Sequence, residues 1–307
     1  MERNDRKTNS RTHTITIDRD SKFILRKIIL DFGILFIVGF LILVYYLWGT
    51  PYKRGFFCDD ESLKHPYKDS TVTNVMLYIV GLGLPVFTMC LTEWIRLRDY
   101  VGGRSRKVLG REMPAWVWEA YQVIGVFLFG CACQQLTTDV AKYAIGRLRP
   151  HFFDVGPLAV QVCKPDIDCT LEANKWRYIE VFTCLADNEK LKKEMRLSFP
   201  SGHSSFSAYT MLYFCMYLQK RFTWRGSKLV RHGIQFILML LAWYTVMTRV
   251  SDYKHHWSDV LAGFSIGLLY AVVIFSFVSN LRKTPRSRQH SHEAELRVTN
   301  GNTRMQV

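Results

Sequence analysis

Residues 28–48 read IILDFGILFIVGFLILVYYLW, an aliphatic and aromatic run whose only ionisable group besides two tyrosines is Asp31. Crossing about 30 Å of hydrocarbon takes roughly 20 residues of helix, and this run supplies them. Five further stretches of similar character follow at 72–95, 115–143, 200–218, 230–247 and 257–278. Buried helices of a water-soluble protein would rarely reach this length six times, so the spacing predicts an all-α polytopic membrane protein with six transmembrane helices. The composition agrees. Hydrophobic residues make up 49% of the chain, yet mean hydropathy is close to zero, which requires apolar blocks to alternate with strongly polar ones.

Charge gives the orientation. Residues 1–22 are basic and lack an apolar core, so the first span is expected to act as the insertion signal and to leave the N-terminus in the cytosol. Arg96, Arg98, Arg104, Arg106, Lys107 and Arg111 crowd the second loop, and Lys220, Arg221, Arg225, Lys228 and Arg231 the fourth. Arg282, Lys283, Arg286 and Arg288 follow the sixth span. Positive charge thus falls on alternate sides, as cytoplasmic loops require, and both termini are expected inside. The net charge of +15 follows largely from this bias, with some attraction to anionic inner-leaflet lipid. Nucleic acid is not an expected partner, because no basic patch is interleaved with aromatics on a soluble module.

The domain reading is a basic cytoplasmic tail at 1–22, one membrane domain at 23–279 and a second cytoplasmic tail at 280–307, both tails expected to be disordered. The last residues, Met305 to Val307, could add a strand to a PDZ domain. Cys90, Cys131, Cys133 and Cys215 fall in spans as small packing residues. Cys58, Cys163, Cys169 and Cys184 lie in outward loops, where up to two disulfides are possible in three pairings. Without a CxxC pair, zinc is the weaker reading.

Three short clusters carry the chemistry. Lys142 and Arg149 are two helical turns apart, so a continuing helix would project both cations from nearly one face, with Pro150 ending it. Pro200, Ser201, Gly202 and His203 open the fourth span. A proline in the first turn, free N–H groups, the positive end of the helix dipole and a glycine make an anion site, with an imidazole beside it. Arg249 closes the fifth span with a planar fork suited to phosphoryl oxygens. His255 and Asp259, four apart, place a carboxylate where it could accept the imidazole N–H and fix its tautomer. The third span ends outside, the fourth begins outside and the fifth and sixth meet outside, so all three clusters share one membrane face. Lys142, Arg147, Arg149 and Arg249 would repel a divalent cation, so no metal or other cofactor is expected; fixed cations would neutralise the equatorial oxygens instead.

Taken together, KYAIGRLRP at 142–150, PSGH at 200–203 and RVSDYKHHWSD at 249–259 resemble the three-part signature of the type 2 phosphatidate phosphatase superfamily. Within it the chain is similar to the six-span animal lipid phosphate phosphatases, the group of the fly Wunen proteins. RGFFC at 54–58, DSTVT at 69–73, HF at 151–152 and SSFS at 204–207 extend the likeness. The resemblance implies the helical bundle shared with vanadium haloperoxidases, and hydrolysis of phosphatidate, lysophosphatidate, sphingosine 1-phosphate and ceramide 1-phosphate at the outer or lumenal face. It implies that His255 is the nucleophile, oriented by Asp259, and that His203 is the acid and then the base. Lys142, Arg149, Ser201, Gly202 and Arg249 would hold the phosphate. Thr248 departs from the serine usual before the arginine but keeps a hydroxyl. The partners expected are the bilayer, its lipid phosphates and further copies of the chain in a homo-oligomer, and the location expected is the plasma membrane. The competing readings are a phosphatase for soluble esters, a vanadate-dependent oxidase, and a receptor or transporter that binds lipid phosphate without breaking it.

Overall fold

The computed structural model describes residues 3–98, 106–108, 111–153, 163–165, 167–169, 171–184, 189–222, 228–279 and 281. The fold is mostly helical. Helix α1 runs Arg3–Trp48, and its apolar part is Ser21–Trp48. The helix therefore continues through residues 3–22, where a disordered tail was expected: no glycine or proline interrupts the chain before Gly33. The tail at 282–307, including the PDZ-like end, lies outside the described residues.

Helix α2, Asn74–Tyr78, is capped by the Thr73 side chain, which accepts from the Met76 amide. A single π-helical turn, Ile79–Gly83, joins it to α3, Leu84–Leu97. Helix α4 covers Ala115–Ile145, α5 Glu189–Glu194, α6 Gly202–Arg221, α7 Lys228–Ser251 and α8 Trp257–Val273, the last continuing as a π-helix to Val278. Strands are short: β1 Phe56–Phe57, β2 Arg106–Val108, β3 Arg111–Met113, β4 Cys163–Pro165, β5 Tyr178–Ile179 and β6 Phe182–Cys184.

Among the described residues five helices are long and apolar enough to cross a membrane: Ser21–Trp48, Asn74–Leu97, Ala115–Ile145, Leu229–Ser251 and Trp257–Val278. The protein is a multi-pass membrane protein. The fourth stretch of the sequence reading is the exception, and the reason is its place in the bundle. Helix α6 is enclosed by α8, α7 and α4, so its sides face protein and tolerate serine, threonine and tyrosine. Tyr209, Tyr213 and Tyr217 on it are fully buried. The Tyr209 hydroxyl donates to the Phe127 carbonyl at 2.9 Å, and Tyr217 donates to Glu93 at 3.1 Å. Glycines make the close crossings possible: a side chain at Gly130 would meet the Tyr209 ring, and one at Gly263 or Gly267 would meet the α6 backbone. By contrast α1 and α7 present large apolar side chains outward, Phe36 and Phe236 among them.

Above one end of the bundle the loops that follow α1 and α4 form a small cap. Strand β1 pairs antiparallel with β5, Phe56 opposite Ile179, and a disulfide joins Cys58 to Cys169. Phe56, Leu63, Leu148, Phe152, Ile179 and Met195 make its core. Strand β4 pairs with β6 so that Cys163 and Cys184 are register partners.

Candidate active site

Four helix ends and the loops that follow α1 and α4 meet beneath this cap. Helix α4 brings Lys142, then stops at Gly146, whose φ of +59° suits glycine and whose missing side chain lets it lie against the Tyr52 carbonyl. The helix was expected to carry Arg149 and stop at Pro150. Instead Gly146 ends it first, and Arg149 sits in irregular chain, its Nε–H donating to the Glu194 carbonyl at 2.9 Å. Lys142 forms an ion pair with Asp139 at 3.4 Å, and a Cβ on Gly202 would lie 2.9 Å from its Nζ. The ammonium therefore stands directly over the start of α6.

That start differs by one detail from expectation. Ser201 is the N-cap, its hydroxyl accepting from the Ser204 amide, so Pro200 lies outside the helix rather than in its first turn. The extended backbone that a capping serine needs places the first helical residue at Gly202. Ser201 is held from below as well, its amide donating to the Asp259 carbonyl at 3.0 Å. His203 follows in the first turn. The Val72 backbone lies beside its ring, and its Nε2 is buried without a partner among the described residues.

Arg249 is 1% exposed near the end of α7. Its Nη2 donates to Asp252 at 3.0 Å and to the Thr248 hydroxyl at 3.3 Å, so the hydroxyl that threonine keeps at this position is in use. The Arg249 carbonyl accepts from the amides of Lys254 and His255, folding the chain into a tight turn that presents His255. Tyr253 in that turn has a φ of +54°, an unfavourable value for an aromatic residue. Stacking of His65 on its ring at 4.4 Å and a hydrogen bond between His151 Nδ1 and its carbonyl at 2.7 Å hold it there.

His255 is the main departure. Its Nδ1 lies 2.7 Å from the Ser198 carbonyl, not from Asp259. Spacing of four brings side chains together only when both residues are helical, and α8 begins two residues after His255, at Trp257. Asp259 occupies the third helical position, where its Oδ2 turns back to the His256 amide at 3.1 Å. The same Oδ2 accepts from the Ser198 hydroxyl at 2.6 Å, and Oδ1 accepts from Arg147 at 2.5 Å. Asp259 thus reaches His255 through Ser198: hydroxyl to carboxylate on one side, carbonyl to imidazole on the other. A carbonyl only accepts, so Nδ1 carries the proton and Nε2 keeps its lone pair. Burial first, then Arg149, Lys142 and His203, hold this imidazole well below its ordinary pKa, so it is neutral at neutral pH.

Lys142, Arg149, Ser201, Gly202, His203, Arg249 and His255 are therefore gathered at one place, with Asp259 behind them. Arg249, Lys142 and Arg149 are the charges acting on His203, and Arg149 and Lys142 act on His255. Sequence reading missed Ser198 altogether and treated Arg147 only as a repelling charge. Ser198 has no pattern to mark it. Arg147 lies inside the first motif and could have been paired with a carboxylate. His256 caps α8 and contacts the Leu148 carbonyl through Nε2 at 3.1 Å.

Such an arrangement offers an imidazole lone pair, a second imidazole, three fixed cations and a helix N-terminus: the requirements for nucleophilic attack on an anionic centre. The PAP2 superfamily pattern matches residues 124–283. A Drosophila melanogaster protein named "Putative phosphatidate phosphatase" is 48% identical over 289 residues, spanning 90% of this chain and 74% of its own length. Phospholipid phosphatase 1 of Rattus norvegicus is 37% identical, covering 87% of this chain and 89% of its own, and human phospholipid phosphatase 2 is 37% identical over 87% and 88%. No solved structure matches the chain. With matches of this extent, and with the residues of all three motifs assembled at one end of the bundle, the chain belongs to the PAP2 superfamily and is one of its phosphatases.

Proposed function

We propose that this protein hydrolyses lipid phosphate monoesters, phosphatidate, lysophosphatidate, sphingosine 1-phosphate and ceramide 1-phosphate, through a phosphohistidine on His255. The observation that carries the reading is the Ser198 carbonyl on Nδ1, because it leaves the Nε2 lone pair of a buried neutral imidazole beside Arg149, Lys142 and His203. Those cations and the free N–H groups at the start of α6, beside Ser201 and Gly202, hold the three phosphoryl oxygens. Nε2 attacks phosphorus as the bond to the lipid oxygen breaks, its electron pair leaving with that oxygen. Protonated His203 supplies the proton, and the lipid departs as an alcohol. Neutral His203 then takes a proton from water, whose oxygen attacks phosphorus. The P–N bond breaks, its electrons return to His255, and inorganic phosphate leaves. Asp259 acts behind the nucleophile, holding Ser198 and so the imidazole. No metal enters, because the cations already neutralise the oxygens and Asp259 is occupied by Arg147, Ser198 and the His256 amide.

The apolar flanks of the bundle support a substrate that leaves its acyl chains in the bilayer and lifts only its phosphate into the site. On this reading α6, 20 residues long and roughly 30 Å, is the sixth span. The basic loops support an orientation with both termini in the cytosol and the site outside the plasma membrane. Phosphate release from a panel of the four lipids by intact cells, with EDTA present, tests chemistry, sidedness and metal independence together. Release from added lipid by cells expressing the protein, undiminished by EDTA, is the expected result. Release only after permeabilisation would overturn the orientation. Hydrolysis of glucose 6-phosphate but not of micellar phosphatidate would favour a soluble substrate, and binding without turnover of any lipid a receptor.

A further inference from the structure

Arg249 is the most deeply buried cation of the site, and its orientation is set by a residue outside the proposed catalytic group. Asp252 is itself 5% exposed. Its Oδ2 accepts from Arg249 Nη2 at 3.0 Å and from the Thr71 amide at 2.8 Å, while its Oδ1 accepts from the Thr71 hydroxyl at 2.8 Å. Both oxygens are engaged, so the carboxylate cannot rotate away from the guanidinium. Thr71 belongs to the first outward loop, and the residue after it, Val72, has its backbone beside the His203 ring. Further contacts tie the same loop to the turn that carries His255: Lys68 Nζ donates to the Ser251 carbonyl at 3.3 Å, and Lys254 Nζ lies 3.7 Å from the Tyr67 ring centroid.

A carboxylate beside an anion-binding arginine weakens that arginine's attraction for phosphate, so its presence calls for a compensating gain. The geometry supplies one. Asp252 takes only Nη2, and the Arg249 Nε remains buried without a partner among the described residues, a donor that a phosphoryl oxygen would satisfy. The two hydrogen bonds from Thr71 draw on the carboxylate's charge and leave its directional grip intact. Resting on the proposed reading of this site as one that binds phosphate, we propose that Asp252, braced by Thr71, is a positioning residue that aims the Arg249 guanidinium at the phosphoryl oxygens. The first outward loop is thereby a fourth component of the active site, beside the three motifs.

Orthovanadate, a mimic of the five-coordinate phosphoryl centre, is the probe. Its Kd is read from thermal stabilisation of the purified full-length protein in detergent, which needs no turnover. Asp252→Asn should weaken vanadate binding about 10-fold, as befits a hydrogen bond to a charged group, and Thr71→Val about 3-fold. In an Arg249→Ala background neither change should weaken it further, because the effect runs through the guanidinium. A residue with only a structural role would lower Tm without this coupling. Unchanged Kd in Asp252→Asn, or effects that multiply with Arg249→Ala, would overturn the proposal. If Asp252→Asn does not fold, Thr71→Val alone and with Arg249→Ala decides by the same criteria. Phosphatidate hydrolysis by the unmodified protein is measured in parallel. An active protein with unchanged vanadate affinity in the variants sinks this inference alone, whereas an inactive one that still binds vanadate with the expected coupling sinks the proposed function alone.

Discussion

Ser198 does two jobs in one residue: its carbonyl sets the tautomer of His255, and its hydroxyl is fixed by Asp259. The roles of Asp259 and Ser198 can be separated. Asp259→Asn removes the charge that Arg147, Ser198 and the His256 amide share, and should lower kcat about 10- to 100-fold, the worth of a charged hydrogen bond. It should also lower stability by about 1 kcal/mol through the lost helix cap. Ser198→Ala keeps the carbonyl on the imidazole, and its kcat should fall less. Steady-state kinetics with denaturation of both variants checks this, and equal losses of kcat would place the whole weight on the Ser198 hydroxyl that links the carboxylate to the nucleophile. At this scale the sequence displayed residue types well: two histidines, three cations, a serine and a glycine all reach the site. It did not display who bonds whom, because the reach of Asp259 depends on α8 beginning at Trp257, and a boundary that close is decided by the turn around Tyr253.

The turn, the cap and the helix ends behave as one element, and His151 joins them. Its Nδ1 bonds the Tyr253 carbonyl, and its ring meets Tyr67 edge-on. Burial, with Arg149 and Lys254 nearby, pushes its pKa down to about 3 from 6.5. Folded, it is neutral; unfolded, it takes up a proton below pH 6.5. Its contribution to stability is therefore complete above that pH and is lost progressively as pH falls toward 3. His151→Asn retains a donor for the Tyr253 carbonyl without the titration, so the drop in Tm between pH 7 and pH 5 should be smaller than in the unmodified protein. Equal drops would show that this imidazole does not report on the turn. Helix positions were legible from apolar runs of about 20 residues, while helix ends were not. Gly146 stops α4 by its left-handed backbone and Ser201 starts α6 by its capping hydroxyl, and each competed in the sequence with a more conspicuous proline.

Across the molecule, one helix is polar because it is enclosed, and the site lies where that helix begins. Apolar runs made the membrane fold readable, but α6 is too polar to qualify by hydropathy, since its neighbours shield it. The cap was the least legible part: Cys58–Cys169 was one of several open pairings, and the bond links loop one, between α1 and α2, to the loop that follows α4. That linkage holds loop one against the turn of His255, so the four elements around the nucleophile are braced from above as well as from within the bundle. The account rests on His255 as the group that takes the phosphoryl from lipid. Rapid quenching of the purified protein with phosphatidate labelled in its phosphate, followed by peptide mapping, tests it most directly. The account expects an acid-labile, alkali-stable label on the peptide containing His255, absent from His255→Ala. It also expects turnover at least about 100-fold lower in His203→Ala, as for loss of a general acid. Label on another residue, or undiminished hydrolysis by His255→Ala, would contradict it.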